Sequence, residues 1–159
     1  MSASSFTSVF VVFVAAALAW RVWLGVRQSR HVARHREAVP AEFAAHIPLE
    51  SHRKAADYTL DKQRVGSIET VLVDGVLLLA LTLGGGLALV DAGAGHLFGD
   101  GKLRELATIY GVLAITTVAS LPFDAYRTFV IEERYGFNRM TAALFAGDIV
   151  KGAIHASQV

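Results

Sequence analysis

The sequence predicts an all-α polytopic membrane protein, and three observations carry that prediction. Of 159 residues, 53% are hydrophobic and 18% charged, whereas an ordinary soluble domain carries about 25% charged residues. Apolar stretches long enough to cross a bilayer recur three times, and Lys and Arg cluster between them. The expected architecture is three transmembrane helices, a long cytoplasmic helical segment and a truncated fourth helix. The lipid bilayer is therefore the first partner the composition implies. Cysteine is absent, which excludes disulfides and thiolate metal sites.

Residues 6–26 form the first expected span, close to the ~20 residues a helix needs to cross the hydrocarbon core. Only Arg21 interrupts it, and that side chain is expected to snorkel to the nearer surface, where Trp20 and Trp23 fit an interfacial aromatic belt. No basic residue precedes the run and Arg27, Arg30, Arg34 and Arg36 follow it, the pattern of an uncleaved anchor with its N-terminus outside. Residues 27–67 make the long cytoplasmic segment. Pro40 and Pro48 stand where helices start, and Glu50–Lys54 and Arg53–Asp57 are i,i+4 pairs of opposite sign, consistent with a helix.

Residues 68–90 are the second expected span, with Asp74 inside it and the triplet Gly84, Gly85, Gly86 read as a close-packing surface. A glycine-rich external loop is expected over 91–105 and the third span over 106–126, with Pro122 marking its end. A cytoplasmic motif loop fills 127–140, and the fourth helix, 141–159, is cut short by a polar tail. Residues 27–64 hold eight Lys or Arg and 127–139 hold three, against Lys102 and Arg104 between the second and third spans. Eleven against two puts the motif loop inside with the N-terminus out. The expected location is an integral membrane protein of a bacterial inner membrane.

Six histidines invite a metal test. His31 and His35 have the i,i+4 spacing of H-E-x-x-H, but Val32 occupies the position of the general base and arginines surround the pair, so a basic solvated face is the better reading. No G-x-S-x-G or phosphate-binding loop is present. The arginines after the first span fit orientation and lipid contact better than nucleic acid, which is not an expected partner. Asp74 is the candidate intramembrane polar site. It reads equally as a functional carboxylate and as an acid paired with Arg64 or Arg127.

Two blocks carry a more specific signal: "KAADYTLDK" (54–62), within a longer stretch from Val39, and "FVIEERYGFN" (129–138), followed by Asp148 and Lys151. Together they resemble the N-terminal membrane region of the type I CAAX prenyl endopeptidases, integral-membrane zinc metallopeptidases of the gluzincin group. The resemblance implies a helical wall around an intramembrane chamber and a zinc site of H-E-x-x-H plus a further glutamate. None of those ligands occurs in this chain, so zinc is expected only in the missing catalytic half and no cofactor is expected here. The resemblance also makes Glu132, Glu133, Arg134, Tyr135, Gly136, Phe137, Asn138, Asp148 and Lys151 a candidate assembly or structural motif. Glu132, Glu133, Arg134 and Asn138 are expected to share a hydrogen-bond network, Gly136 to permit a positive-φ turn, and Tyr135 and Phe137 to anchor it. The expected function is the membrane module of such a peptidase, inert alone as a truncated or split product and partnered by a separately encoded catalytic half. A stand-alone membrane scaffold is the alternative from another class, and an ion or proton carrier using Asp74 a third.

Overall fold

A computed structural model describes residues 3–156, with side chains described over 5–152. Helices account for nearly all of it: α1 (Ala3–His35), α2 (Leu49–Thr82), α3 (Gly86–Phe98), α4 (Lys102–Glu132) and α5 (Ala142–Ala156). Among the described residues there is no strand. Helices α1, α2 and α4 are long and apolar enough to cross a membrane. Their 33, 34 and 31 residues correspond to about 50 Å at 1.5 Å per residue, so each overshoots a ~30 Å hydrocarbon core by several turns. Those overhanging turns hold most of the polar contacts described below.

Several boundaries differ from the sequence expectation. The second helix stops at Thr82 rather than Val90, because the glycine triplet breaks it: Gly85 adopts φ +78°, a conformation that only glycine enters without strain. The expected external loop is largely helical, since α3 runs to Phe98 and leaves only 99–101 as the connection to α4. Asp91 of α3 accepts a 2.9 Å hydrogen bond from Arg104 Nε of α4, and Thr108 Oγ1 adds another at 3.2 Å. This clamp supplies the tertiary support that a glycine-rich helix lacks on its own. The third span does not end at Pro122. The proline costs one hydrogen bond, to the Val118 carbonyl, and the helix continues ten residues beyond it to Glu132.

Two stretches, Thr70–Leu77 in α2 and Arg127–Glu132 in α4, widen to π geometry, a rare form that occurs within α-helices and frequently at functional sites. The interior is thin, and Ile131 is its one fully buried large side chain among the described residues. Most apolar residues of α1 and α4 face outward, which a bilayer tolerates and water does not. Where α1 crosses α2, Gly75 lies against Leu18 and Gly25 against Gln63, so the two backbones approach closely.

The foot of the bundle is tied by arginines. Arg36 donates to Asp57 through Nε at 2.6 Å and Nη2 at 2.8 Å, and also to Glu37, which accepts from Arg53. The charges of α2 thus reach across to the end of α1 instead of forming the expected Arg53–Asp57 pair. Arg53, with help from Arg36, holds the Glu37 carboxyl below the usual range, and Asp57 and Glu37 hold Arg36 above its own.

Candidate functional site

Residues 54–62 sit on α2 and 131–138 at the end of α4, and the fold brings the two blocks into contact. Lys54, Tyr58, Asp61 and Lys62 follow an i, i+4, i+7, i+8 pattern, which lines them along one helix face. Tyr135 donates its hydroxyl to Asp61 Oδ2 at 2.9 Å, and Arg134 Nη1 donates to the same oxygen at 3.1 Å. Lys62 Nζ lies 3.0 Å from the Tyr58 hydroxyl and 3.7 Å from Glu132 Oε1, with Tyr58 also reaching Glu132 at 3.5 Å. Tyr58 meets Tyr135 and Phe137 edge-on, at centroid separations of 5.5 and 5.0 Å. Lys54 and Lys62 lie over Phe137 and Tyr58, 5.4 and 5.0 Å from the ring centres, a cation–π arrangement.

The turn that presents these groups is built locally. After the π-shaped end of α4 the backbone reverses at Gly136, φ +70°, and the amides of Phe137 and Asn138 both donate to the Glu132 carbonyl, at 2.8 and 3.1 Å. Asn138 then bridges the turn, donating to Glu133 at 3.0 Å and accepting from the Met140 amide at 2.7 Å. Burial, and then the Asp61 carboxylate it bonds, hold the Tyr135 hydroxyl above the ordinary tyrosine range. Glu133, Arg134 and Phe137 keep an exposed outer surface. Asp148 and Lys151 form an i,i+3 pair of their own on α5 at 3.9 Å, and α5 meets α4 through Phe129 and Phe145, centroids 5.4 Å apart.

Asp74 pairs with Arg21 of α1, not with Arg64 or Arg127. Arg21 therefore reaches across to α2. Arg127 instead bonds Glu69 and, at 2.8 Å, Asp124. Around these groups α1, α2 and α4 border an open groove of about 590 Å³ whose floor mixes Leu18, Val73 and Leu78 with Arg21, Asp74, Thr116, Ser120 and Asp124. Three partners of the motif, Tyr58, Asp61 and Lys62, were not assigned roles from sequence, although their spacing on one α2 face was the available signal. For Arg21–Asp74 and Glu69–Arg127, 53 and 58 residues apart, no such local signal exists.

Among the described residues no group of three or more His, Cys, Asp or Glu is positioned to hold a metal ion; the zinc that the resemblance implies belongs to the family's catalytic domain. What the arrangement offers is hydrogen bonds, ion pairs and aromatic edges.

Comparison with known proteins gives a consistent result. A family model described as CAAX prenyl protease N-terminal, five membrane helices, matches residues 28–157. The CAAX prenyl protease 1 homolog of Oryza sativa subsp. japonica is 32% identical over 144 residues, covering 85% of this chain and 33% of that protein. The probable CAAX prenyl protease 1 of Schizosaccharomyces pombe is 30% identical over 145 residues, 84% of this chain and 30% of its own length. The Homo sapiens CAAX prenyl protease 1 homolog is 30% identical over 141 residues, with 83% and 29% covered. The chain thus spans about a third of the length of these relatives. No solved structure matches it.

Proposed function

The chain belongs to the CAAX prenyl protease N-terminal family, and from that premise we propose that it is the membrane module of a zinc metalloendopeptidase acting on membrane-associated or prenylated proteins. By itself it is inert as a peptidase. In the working enzyme the zinc, its ligands and the general base come from a catalytic half outside these residues, and the module supplies a membrane anchor and a docking surface. The observation that carries this reading is the contact between residues 54–62 and 131–138. The two blocks that carry the sequence resemblance fold onto each other, and the outer side chains Glu133, Arg134 and Phe137 remain exposed. A surface both internally braced and outwardly open suits assembly. The Lys/Arg distribution supports an orientation with the N-terminus outside and this surface on the cytoplasmic face of the membrane.

The test is co-purification with a catalytic half expressed as a separate chain. Phe137→Ala and the pair Glu133→Ala with Arg134→Ala should lower recovery of the complex, while each variant still inserts into membranes. Recovery equal to wild type for all of them would remove the docking role.

A further inference from the structure

The arginines of this chain divide into two groups. Arg21, Arg36, Arg53, Arg104, Arg127 and Arg134 are each bonded to a carboxylate. Arg27, Arg30, Arg34, Arg64 and Arg139 have no acidic partner among the described residues; the first three lie together on α1, where Arg27 stands 5.4 Å from the centre of the Trp23 ring. These three follow one another on α1 at i, i+3 and i+7. Successive residues are about 100° apart around a helix, so they share a face with Trp20 and Trp23, opposite the side where Gly25 meets Gln63 and Ser67 of α2. The side chains of Trp23, Val26, Arg27, Arg30, His31 and Arg34 border a shallow recess of about 390 Å³.

Depth matters here. Trp20 and Trp23 stack at a centroid distance of 5.1 Å just where the apolar run of α1 ends, the level at which aromatic side chains mark the membrane interface. At ~1.5 Å per residue Arg27 lies about 6 Å beyond Trp23 and Arg34 about 16 Å beyond it. The interfacial layer on each side of a bilayer is roughly 5–7 Å thick. The Arg27 backbone therefore stands at the level of lipid phosphates, with Arg30 and Arg34 progressively outside it, and because helical side chains tilt toward the N-terminus the long stems of both lean back toward that layer.

We propose that this face of α1 is a binding site for the headgroup of an anionic phospholipid, with the guanidinium groups of Arg27, Arg30 and Arg34 on its phosphodiester and Trp23 against its glycerol and upper acyl region. Charge complementarity selects the occupant: three unpaired cations on one helix face match phosphate oxygens, and the adjoining indole rings match the boundary between headgroup and chain. The site is independent of the peptidase reading, since it uses neither the motif surface nor the groove.

The test uses the full chain in phosphatidylcholine nanodiscs with or without phosphatidylglycerol, released for native mass spectrometry to count retained lipids. Wild type should retain phosphatidylglycerol over phosphatidylcholine, with the preference falling as ionic strength rises. At about 1 kcal/mol per basic side chain near an anionic surface, each arginine accounts for about fivefold and the three for roughly a hundredfold. The triple variant Arg27→Gln, Arg30→Gln, Arg34→Gln should lose that preference. The triple lysine variant should keep most of it, and Lys102→Gln, at the start of α4, should leave it unchanged. Equal retention by wild type and the glutamine variant would overturn the proposal, as would loss in the lysine variant equal to that in the glutamine variant. Displacement of the lipid by inorganic phosphate at matched concentration would assign the site to free phosphate and also overturn it.

Discussion

Replacing Arg127 by methionine is the most informative single perturbation of this fold. Its guanidinium joins Glu69 of α2 to Asp124 of its own helix, and the side chains of Arg127 and Glu69 are only 22% and 19% exposed. Methionine keeps the packing stem and removes the cation, leaving two carboxylates close together without a partner. Breaking a fully buried ion pair from one side costs ~3–5 kcal/mol; these side chains are only half-buried, so about 2 kcal/mol is expected here. Arg134 provides the internal comparison: it also bonds a carboxylate across to α2, but its side chain is 57% exposed, and a solvated pair contributes at most ~1 kcal/mol. Arg127→Met should therefore destabilise the chain about twice as much as Arg134→Ala. Equilibrium unfolding in mixed micelles, followed by far-ultraviolet circular dichroism, measures both. Adding Glu69→Gln to Arg127→Met should recover part of the loss, a non-additivity of ~1 kcal/mol or more. If Arg127→Met were no worse than Arg134→Ala, or the double variant simply additive, the bridge would be a surface contact and the reasoning wrong.

Gly136→Ala should cost about 1–2 kcal/mol through backbone strain alone, since φ is +70° there and the nearest atom to an added Cβ is Lys54 Nζ at 3.9 Å; the same unfolding assay measures it. Tyr135, whose folded value is raised above the ordinary 10.0, contributes stability that is fully present below pH 10 and is lost as pH rises through that raised value. Ultraviolet titration should show a tyrosine ionising late, and Asp61→Asn should shift it earlier. Glu37, lowered from 4.5 by Arg53 and Arg36, has the opposite sign: its contribution is present above that pH and is lost as pH falls through the lowered value, so the foot of α1 and α2 should loosen in acid, read by hydrogen exchange of residues 36–48. Single cysteines replacing Ser5 and Ser51 in this cysteine-free chain should label from opposite sides of the membrane; labelling from one side would defeat the charge-based orientation.

Much of the architecture was legible because bilayer thickness forces long apolar helices, and hydropathy reads their length directly. Pro48 duly stands at the N-terminal cap of α2. What hydropathy cannot read is φ. The glycines at 84–86 looked like a packing surface within a continuous span, and the positive φ of Gly85 makes them a helix end. Nor does local sequence reveal a clamp such as Arg104–Asp91, which makes a helix of a glycine-rich stretch, or the two π segments. At the candidate site, residues 132–138 stood out by their charge density. Their partners on α2 did not, because Tyr58, Asp61 and Lys62 have the ordinary look of an amphipathic helix until the end of α4 is laid against them. Expected i,i+4 pairs failed for a related reason: Arg53 and Asp57 find opposite charges at the end of α1, where two helices meet and the geometry is fixed by the bundle.

The central claim is that this chain supplies membrane anchorage and recognition and no hydrolytic chemistry of its own. It is tested most directly by reconstituting the purified chain in nanodiscs with zinc, dialysing, and measuring bound metal together with endopeptidase activity on a farnesylated peptide. The account predicts no stoichiometric zinc and no cleavage above the protein-free control. About one tightly held zinc per chain, accompanied by cleavage that a chelator abolishes, would contradict it.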